Sequence, residues 1–349
     1  MRVGALILRS RAWLAPLEGV SDAGFRALCA RHGAGLTFTE MVRASAVGRR
    51  NAAALALIDS HDASTPTGLQ LLASTPDELL SALRAIEELA ADAAFPHFAN
   101  IRAVDLNFGC PSPAVLQDGA GPALLHRRSR VRSLFRALVE WRTRTSLSVG
   151  AVGAKLRLGL NAREAVRDRV FLDAGRAAAE EGLDFISLHA RHAAQPSSSP
   201  PDWTAFARMR TALEEGSARA GTPRPVLIAN GNVRSRADAD ALVHSGGADG
   251  VMLARAAMRC PWIFSQFRGL SCDAPPPSVT RSPSLSWDSI EVWPTVEQVN
   301  EAEEAWLAWG AYGRGTRDKH RQFHHANFAR LRSPVARAAL TEAATEHML

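Results

Sequence analysis

Lysine is almost missing from this chain. Of its 41 basic residues only Lys155 and Lys319 are lysines, so arginine carries nearly all the positive charge, and the formal balance is +6. The two side chains are not interchangeable, which marks both positions as places that need a compact ammonium. Cysteine is scarce too. Cys29, Cys110, Cys260 and Cys272 are scattered with no C-x-x-C pair, which excludes a zinc ribbon and a disulfide framework and predicts no bound metal. No apolar run reaches the length of a membrane span, and the opening MRVGALILRSRAW is interrupted by Arg9 and Arg11 and lacks a small-residue cleavage site. These absences predict an intracellular, cytoplasmic protein with no membrane partner.

What is present is an alternation. The apolar segments RAWLAP (11–16), LTFTE (36–40), TGLQLL (67–72), AVDLNF (103–108), VGAKLRL (152–158), FISLHA (185–190), PVLIAN (225–230) and GVMLA (250–254) read as strands. Between them, stretches such as TPDELLSALRAIEELAADAA and AREAVRDRVFLDAGRAAAEEG carry apolar residues at helical spacing. Strand and helix alternating in this way predict an α/β fold, a (β/α)8 TIM barrel over residues 1–270, with a doubly wound open sheet as the alternative. Residues 271–296 are rich in Pro and Ser and read as a linker, and 297–349 read as a small C-terminal helical domain.

A barrel of this class builds its site at the C-terminal ends of its strands, and polar residues gather there. Glu18 follows the first strand, Glu40 the second, and Gln70 lies in the third; Asn107 and Cys110 close the fourth. The fifth carries Lys155 and Arg157, the sixth His189 and Arg191, the seventh Asn230, Gly231 and Asn232, and the eighth Ala254 and Arg255. Pro111 and Pro113 cannot continue a strand, so Cys110 is presented at a turn, unless it serves as a small buried hydrophobe. The last two strands run through small residues into helix starts, where free N–H groups and Arg255 can hold a phosphate. Lys155, pointing inward between Ala154 and Leu156, needs an electron-rich partner. With His189 and Gln70 beside it, that partner reads as the ring of FMN.

In order along residues 12–268, the segments APLEGVSD, TEMV, LNFGCPSPAVLQDGAGPALL, AKLRLG, SLHAR, ANGNV and GVMLARAA resemble the motifs of the tRNA-dihydrouridine synthases, and RDKHRQF resembles that family's C-terminal helical segment. The resemblance implies an FMN-binding barrel followed by a helical tRNA-binding domain, tRNA as partner, NADPH as reductant, and a monomer. It implies that Pro16, Leu17 and Glu18 line the flavin and that Gln70, Lys155 and His189 contact its ring. Asn230, Gly231, Asn232, Ala254 and Arg255 would then hold its phosphate end. Cys110 would give a proton to C5 of uracil, with Asn107, Arg157 and Arg191 facing the substrate. The chain departs from the family where Leu17 replaces methionine, where Ala190 and Ala254 replace glycine, and in the loop HAAQPSSSPPDW. Two rival expectations are a small-molecule FMN enzyme of the dihydroorotate dehydrogenase or ene-reductase kind, and a tRNA-binding homologue without turnover. The basic run 313–332, interleaved with Phe323 and Phe328, favours an RNA partner.

Overall fold

The computed structural model describes residues 1–58, 65–259, 261–267 and 269–270. The linker, the C-terminal helices, Lys319, Cys260 and Cys272 lie outside the described residues.

Eight parallel strands close into a barrel: β1 (Ala12–Leu14), β2 (Thr37–Arg43), β3 (Thr67–Leu72), β4 (Ile101–Phe108), β5 (Ala151–Arg157), β6 (Phe185–His189), β7 (Val226–Asn230) and β8 (Gly250–Leu253), with β8 paired to β1. Each falls on a segment expected from the sequence. Strand alternation explains the two faces. In β5, Val152, Ala154 and Leu156 join the outer core under the helices, while Lys155 takes the opposite face, toward the barrel axis.

The helices that cover the barrel are α1 (Ala23–Arg31), α2 (Pro76–Ala90), α3 (Arg128–Arg144), α4 (Val170–Glu181), α5 (Thr204–Ala220) and α6 (Arg236–His244). Local chemistry sets their ends. α2 starts where Thr75 Oγ1 accepts from Glu78 N at 3.2 Å and Pro76 occupies the first turn. Its apolar stripe of Leu79, Leu83 and Ile86 is buried against the barrel.

The segment 162–182, expected as one helix, divides instead. Arg163–Asp168 forms a π-helical turn, Arg169 adopts a left-handed φ of 52°, and α4 begins after it. Glu164 accounts for the break: its Oε2 accepts from Leu160 N at 2.8 Å, tying the turn back to the end of β5 before α4 sets off across the barrel.

Inside, the lower half of the barrel is closed. Trp13, Phe38 and Phe185 meet with ring centroids 5.3–6.1 Å apart. They fit because neighbouring strands give way: a Cβ at Gly68 would lie 2.4 Å from the Phe38 ring, and one at Gly153 2.4 Å from Phe185. Beneath them a short N-terminal hairpin, Arg2–Val3 with Leu6–Ile7, packs Val3 and Leu8 into the same cluster and bonds Ala5 N to Gly150 O at 2.8 Å. The open end is the one where the strands finish. Among the described residues no helix is long and apolar enough to cross a membrane.

Candidate active site

Above the aromatic floor the inward residues become polar. Gln70 on β3, Asp105 and Asn107 on β4, Lys155 on β5, Ser187 and His189 on β6 and Asn230 on β7 succeed one another around the axis. Three are joined in one chain. Gln70 Nε2 donates to Asp105 Oδ2 at 2.5 Å, Asn107 Nδ2 donates to Gln70 Oε1 at 2.7 Å, and Asn107 Oδ1 accepts from Gly109 N at 3.0 Å and from Cys110 N at 2.9 Å.

β4 ends at Phe108, and the chain turns through the Cys110 loop into a short helix, Pro113–Gln117. Cys110 is half-buried against Leu72, Val115 and Ala120, with Sγ 3.5 Å from Ser112 Oγ. Arg157 clasps the loop from β5: its Nε donates to Gly109 O at 2.8 Å and its Nη1 to His192 O at 3.2 Å.

Lys155 is half-buried in the mouth, and its ammonium has no hydrogen-bond partner among the described residues. Burial first, and then the nearby Arg157 charge, lower its pKa to about 8, against the pull of Asp105. Asp105 is fully buried, and burial raises its carboxyl to about 7 despite the Gln70 bond and the Lys155 charge.

His189 is held well below its ordinary value by burial, then by Arg157, Lys155, Arg191 and Arg255. It is therefore neutral at physiological pH. Arg191 Nη1 lies 3.1 Å from His189 Nε2, and because a guanidinium can only donate, Nε2 accepts and the imidazole proton sits on Nδ1.

The ends of β7 and β8 form a separate, strongly basic corner. Asn230 Nδ2 donates to Met252 O at 2.8 Å, locking the two strands together. Gly231 takes φ 121°, a value open to glycine, and its carbonyl accepts from Trp203 Nε1 at 3.0 Å. Asn232, also left-handed at φ 56°, accepts on Oδ1 from Arg255 Nη2 at 2.8 Å and Arg191 Nη2 at 3.1 Å. The divergent loop around 196–201 contributes backbone acceptors: Ser197 O to Arg255 at 3.2 Å, and Ser199 O to Nε of Arg191 at 2.9 Å and to its Nη2. Arg191 is fully buried, with Nε, Nη1 and Nη2 all engaged, a placement that supports Asn232 and His189. Burial, then Arg255, Arg157 and Arg234, push it down to about 10.

The start of α6 is partly capped by its own side chains. Ser235 and Asp238 form a capping box, with Asp238 Oδ2 accepting from Arg234 N at 2.8 Å and Ser235 N at 3.1 Å. The capping box takes up only the N–H groups of Arg234, Ser235 and Asp238, and side-chain donors stand beside it. Asn232 Nδ2 is buried with no partner, and the guanidiniums of Arg191, Arg234 and Arg255 repel one another. An orphan donor in a basic corner is what a phosphate would complete, so the residues present fit a phosphate group such as a flavin nucleotide carries.

At the first strand end, Pro16 and Leu17 are half-buried at the rim, Glu18 is exposed, and Ala254 packs partly against the floor. Glu40, buried at the irregularity in β2, accepts from Gly19 N at 2.6 Å and holds this loop. Sequence reasoning missed Asp105. Its signal was parity, since it lies two residues before Asn107 and must share that inward face.

Comparison with known proteins agrees with this geometry. A family model described as dihydrouridine synthase matches residues 13–298. A probable tRNA-dihydrouridine synthase of Mycobacterium tuberculosis (strain ATCC 25618 / H37Rv) is 32% identical over 285 residues, covering 80% of this chain and 67% of that protein. One of Treponema pallidum (strain Nichols) is 27% identical over 336 residues, covering 94% and 92%. A Cryptococcus neoformans protein (serotype D, strain B-3501A) named tRNA-dihydrouridine(47) synthase [NAD(P)(+)] is 30% identical over 260 residues, covering 73% of this chain and 34% of its own length. The family match begins in β1, takes in every strand end described above and continues past β8; the chain belongs to the dihydrouridine synthase family.

Proposed function

We propose that the protein is a cytoplasmic tRNA-dihydrouridine synthase, which reduces the C5–C6 double bond of uridine in tRNA with FMN as bound cofactor and NADPH as reductant. FMN, when bound, supplies the hydride that C6 receives. The observation that carries the reading is the fixing of Cys110 by Asn107 at the same mouth as Lys155. The Cys110 S–H bond breaks as its proton passes to C5, and solvent returns a proton to sulfur. A uridine inside a folded tRNA must first be extruded to reach such a mouth.

Each neighbour has a donor left for this work. Asn107 spends one Nδ2 hydrogen on Gln70 and keeps the other for the uracil; Gln70 likewise keeps one Nε2 hydrogen for the flavin ring. Arg157 Nη2 makes no hydrogen bond among the described residues and is free to serve the substrate. Lys155 and the Nδ1–H of His189 serve the electron-rich edge of the ring, and Pro16 and Leu17 its rim. Asn232 Nδ2, Arg255 and Arg234 serve the phosphate, with Arg191 holding them in place. Support for a nicotinamide reductant comes from the printed name of the Cryptococcus relative.

The test is an anaerobic single turnover. Enzyme reduced with NADPH and given unmodified tRNA should reoxidise its flavin and form dihydrouridine. Cys110→Ala should accept electrons from NADPH normally but reoxidise about 10²- to 10⁴-fold more slowly with tRNA, the usual loss for a positioned acid. A wild-type enzyme that leaves tRNA unreduced overturns the function. A variant as fast as wild type returns Cys110 to a packing role.

A further inference from the structure

A buried carboxylate that no step above uses lies beneath the site. Asp105 is fully inaccessible; one oxygen accepts from Gln70 and the other, Oδ1, is buried without a partner. Burying a carboxylate is costly unless it is bonded or paired, so its presence calls for a return elsewhere in the molecule.

The chain from Asp105 to Cys110 has a direction. At its far end stand two backbone N–H groups, Gly109 and Cys110, which can only donate, so Asn107 must turn its oxygen to them and its NH2 toward Gln70. Gln70 must then offer its oxygen to Asn107 and its NH2 inward, where an acceptor has to receive it. That acceptor is Asp105. Were either amide reversed, two like groups would face one another at hydrogen-bond distance inside a closed barrel, at the cost of an unsatisfied buried polar group.

We propose that Asp105 is the positioning residue of this site: by accepting from Gln70 it fixes the polarity of the Gln70 and Asn107 amides, and through them the seat of the Cys110 loop. The carboxylate touches neither the thiol nor the substrate side of the mouth. Its effect passes through two amides whose orientation is decided at one end by backbone N–H groups that cannot flip and at the other by the acceptor oxygen of Asp105. Asp105 also lies beside Lys155, two residues away in register on the neighbouring strand β5, and the raised carboxyl and lowered ammonium of the pair are what shared burial produces. The direction of the chain follows from its hydrogen bonds alone; its catalytic meaning rests on the function proposed above for Cys110.

Reversing the chain tests the idea. Asn107→Asp keeps an acceptor for Gly109 and Cys110 but presents a second oxygen to Gln70 Oε1, and at about pH 8.5, where Asp105 is ionised, Gln70 cannot turn without meeting an acceptor. Adding Asp105→Asn removes that conflict, because the introduced amide can donate to a reversed Gln70. The readout is the rate at which iodoacetamide modifies Cys110 in the full-length purified protein, located by peptide mass spectrometry, with a melting curve to show that each variant is folded. Asn107→Asp should raise the rate about fivefold or more, the effect of losing roughly one buried hydrogen bond. The double variant should return to within about twofold of wild type, and Asp105→Asn alone, which can still accept from Gln70, should stay near wild type.

A double variant no better than Asn107→Asp overturns the proposal, as does an Asn107→Asp protein whose Cys110 reacts at the wild-type rate. Should the single variant fail to fold, a folded double variant with wild-type reactivity carries the same conclusion, and an unfolded one refutes it. None of these readings requires tRNA or flavin turnover. A failure of the proposed function, seen as wild-type enzyme that leaves tRNA unreduced, is therefore a separate result.

Discussion

Removing Arg255 should cost the flavin-loaded protein more than the empty one. Its Nη2 donates to Asn232 and Ser197, and its charge presses on Arg191 and Arg234, both displaced downward by it. Without an anion, Arg255→Ala loses the bonds to Asn232 and Ser197 but relieves repulsion on Arg191 and Arg234, so the melting temperature of the apoprotein should fall less than that of the complex. With FMN bound, the same change deletes charge-assisted hydrogen bonds worth about 1.5–3 kcal/mol, which weakens binding roughly 10- to 150-fold. At a flavin concentration of about 100 wild-type Kd, binding stabilises the wild type by ~2.7 kcal/mol; a 30-fold weaker site would keep only ~0.9 kcal/mol of it. For a domain of this size the difference is a loss of about 2–4 °C in the FMN-induced melting shift. The assay is a pair of melting curves, with and without FMN, on protein stripped of flavin, supported by fluorescence titration. Equal FMN-induced shifts in variant and wild type, or an apoprotein that loses as much stability as the complex, would refute the assignment of this corner to a phosphate.

Other outcomes follow from the same structure. Lys155→Ala should weaken flavin retention roughly tenfold or more through loss of a charged partner, measured as flavin content after gel filtration. His189 has a folded pKa below its unfolded value of 6.5, so the unfolded state takes up protons first and stability falls as pH drops below about 6.5; His189→Asn should lose less between pH 7 and 5 in urea titrations. Gly153→Ala puts a methyl group against the Phe185 ring and should cost about 1–3 kcal/mol as an overpacked core does, read as a lower urea midpoint. Replacing Arg317, Lys319 and Arg321 together should flatten the salt dependence of tRNA binding by about 0.7–0.9 in log–log slope for each phosphate no longer neutralised.

The strands were legible because each is an apolar run bounded by turn residues, and the rim residues because they follow those runs directly. Lys155 could be aimed from parity alone, between Ala154 and Leu156. The same parity pointed to Asp105, but a single acid within AVDLNF reads as a blemish in a strand until Gln70 is seen beside it. The support given to Arg191 and Arg255 by Ser197 and Ser199 was not legible, because it comes from backbone carbonyls whose direction depends on how the loop folds. Likewise the break at Arg169 rests on a side chain reaching back four residues, which apolar periodicity does not register.

Among the described residues, the N-terminal hairpin and the aromatic floor close the base of the barrel. If the proposed function holds, a nicotinamide and an RNA would both have to approach the flavin from the strand-end side, in turn. Each becomes a competitor of the other for the same form of the protein, and the first product must leave before the second reactant arrives. Parallel lines in double-reciprocal plots, and inhibition by excess tRNA relieved by more nicotinamide, are the kinetic expression of a barrel stoppered at its base.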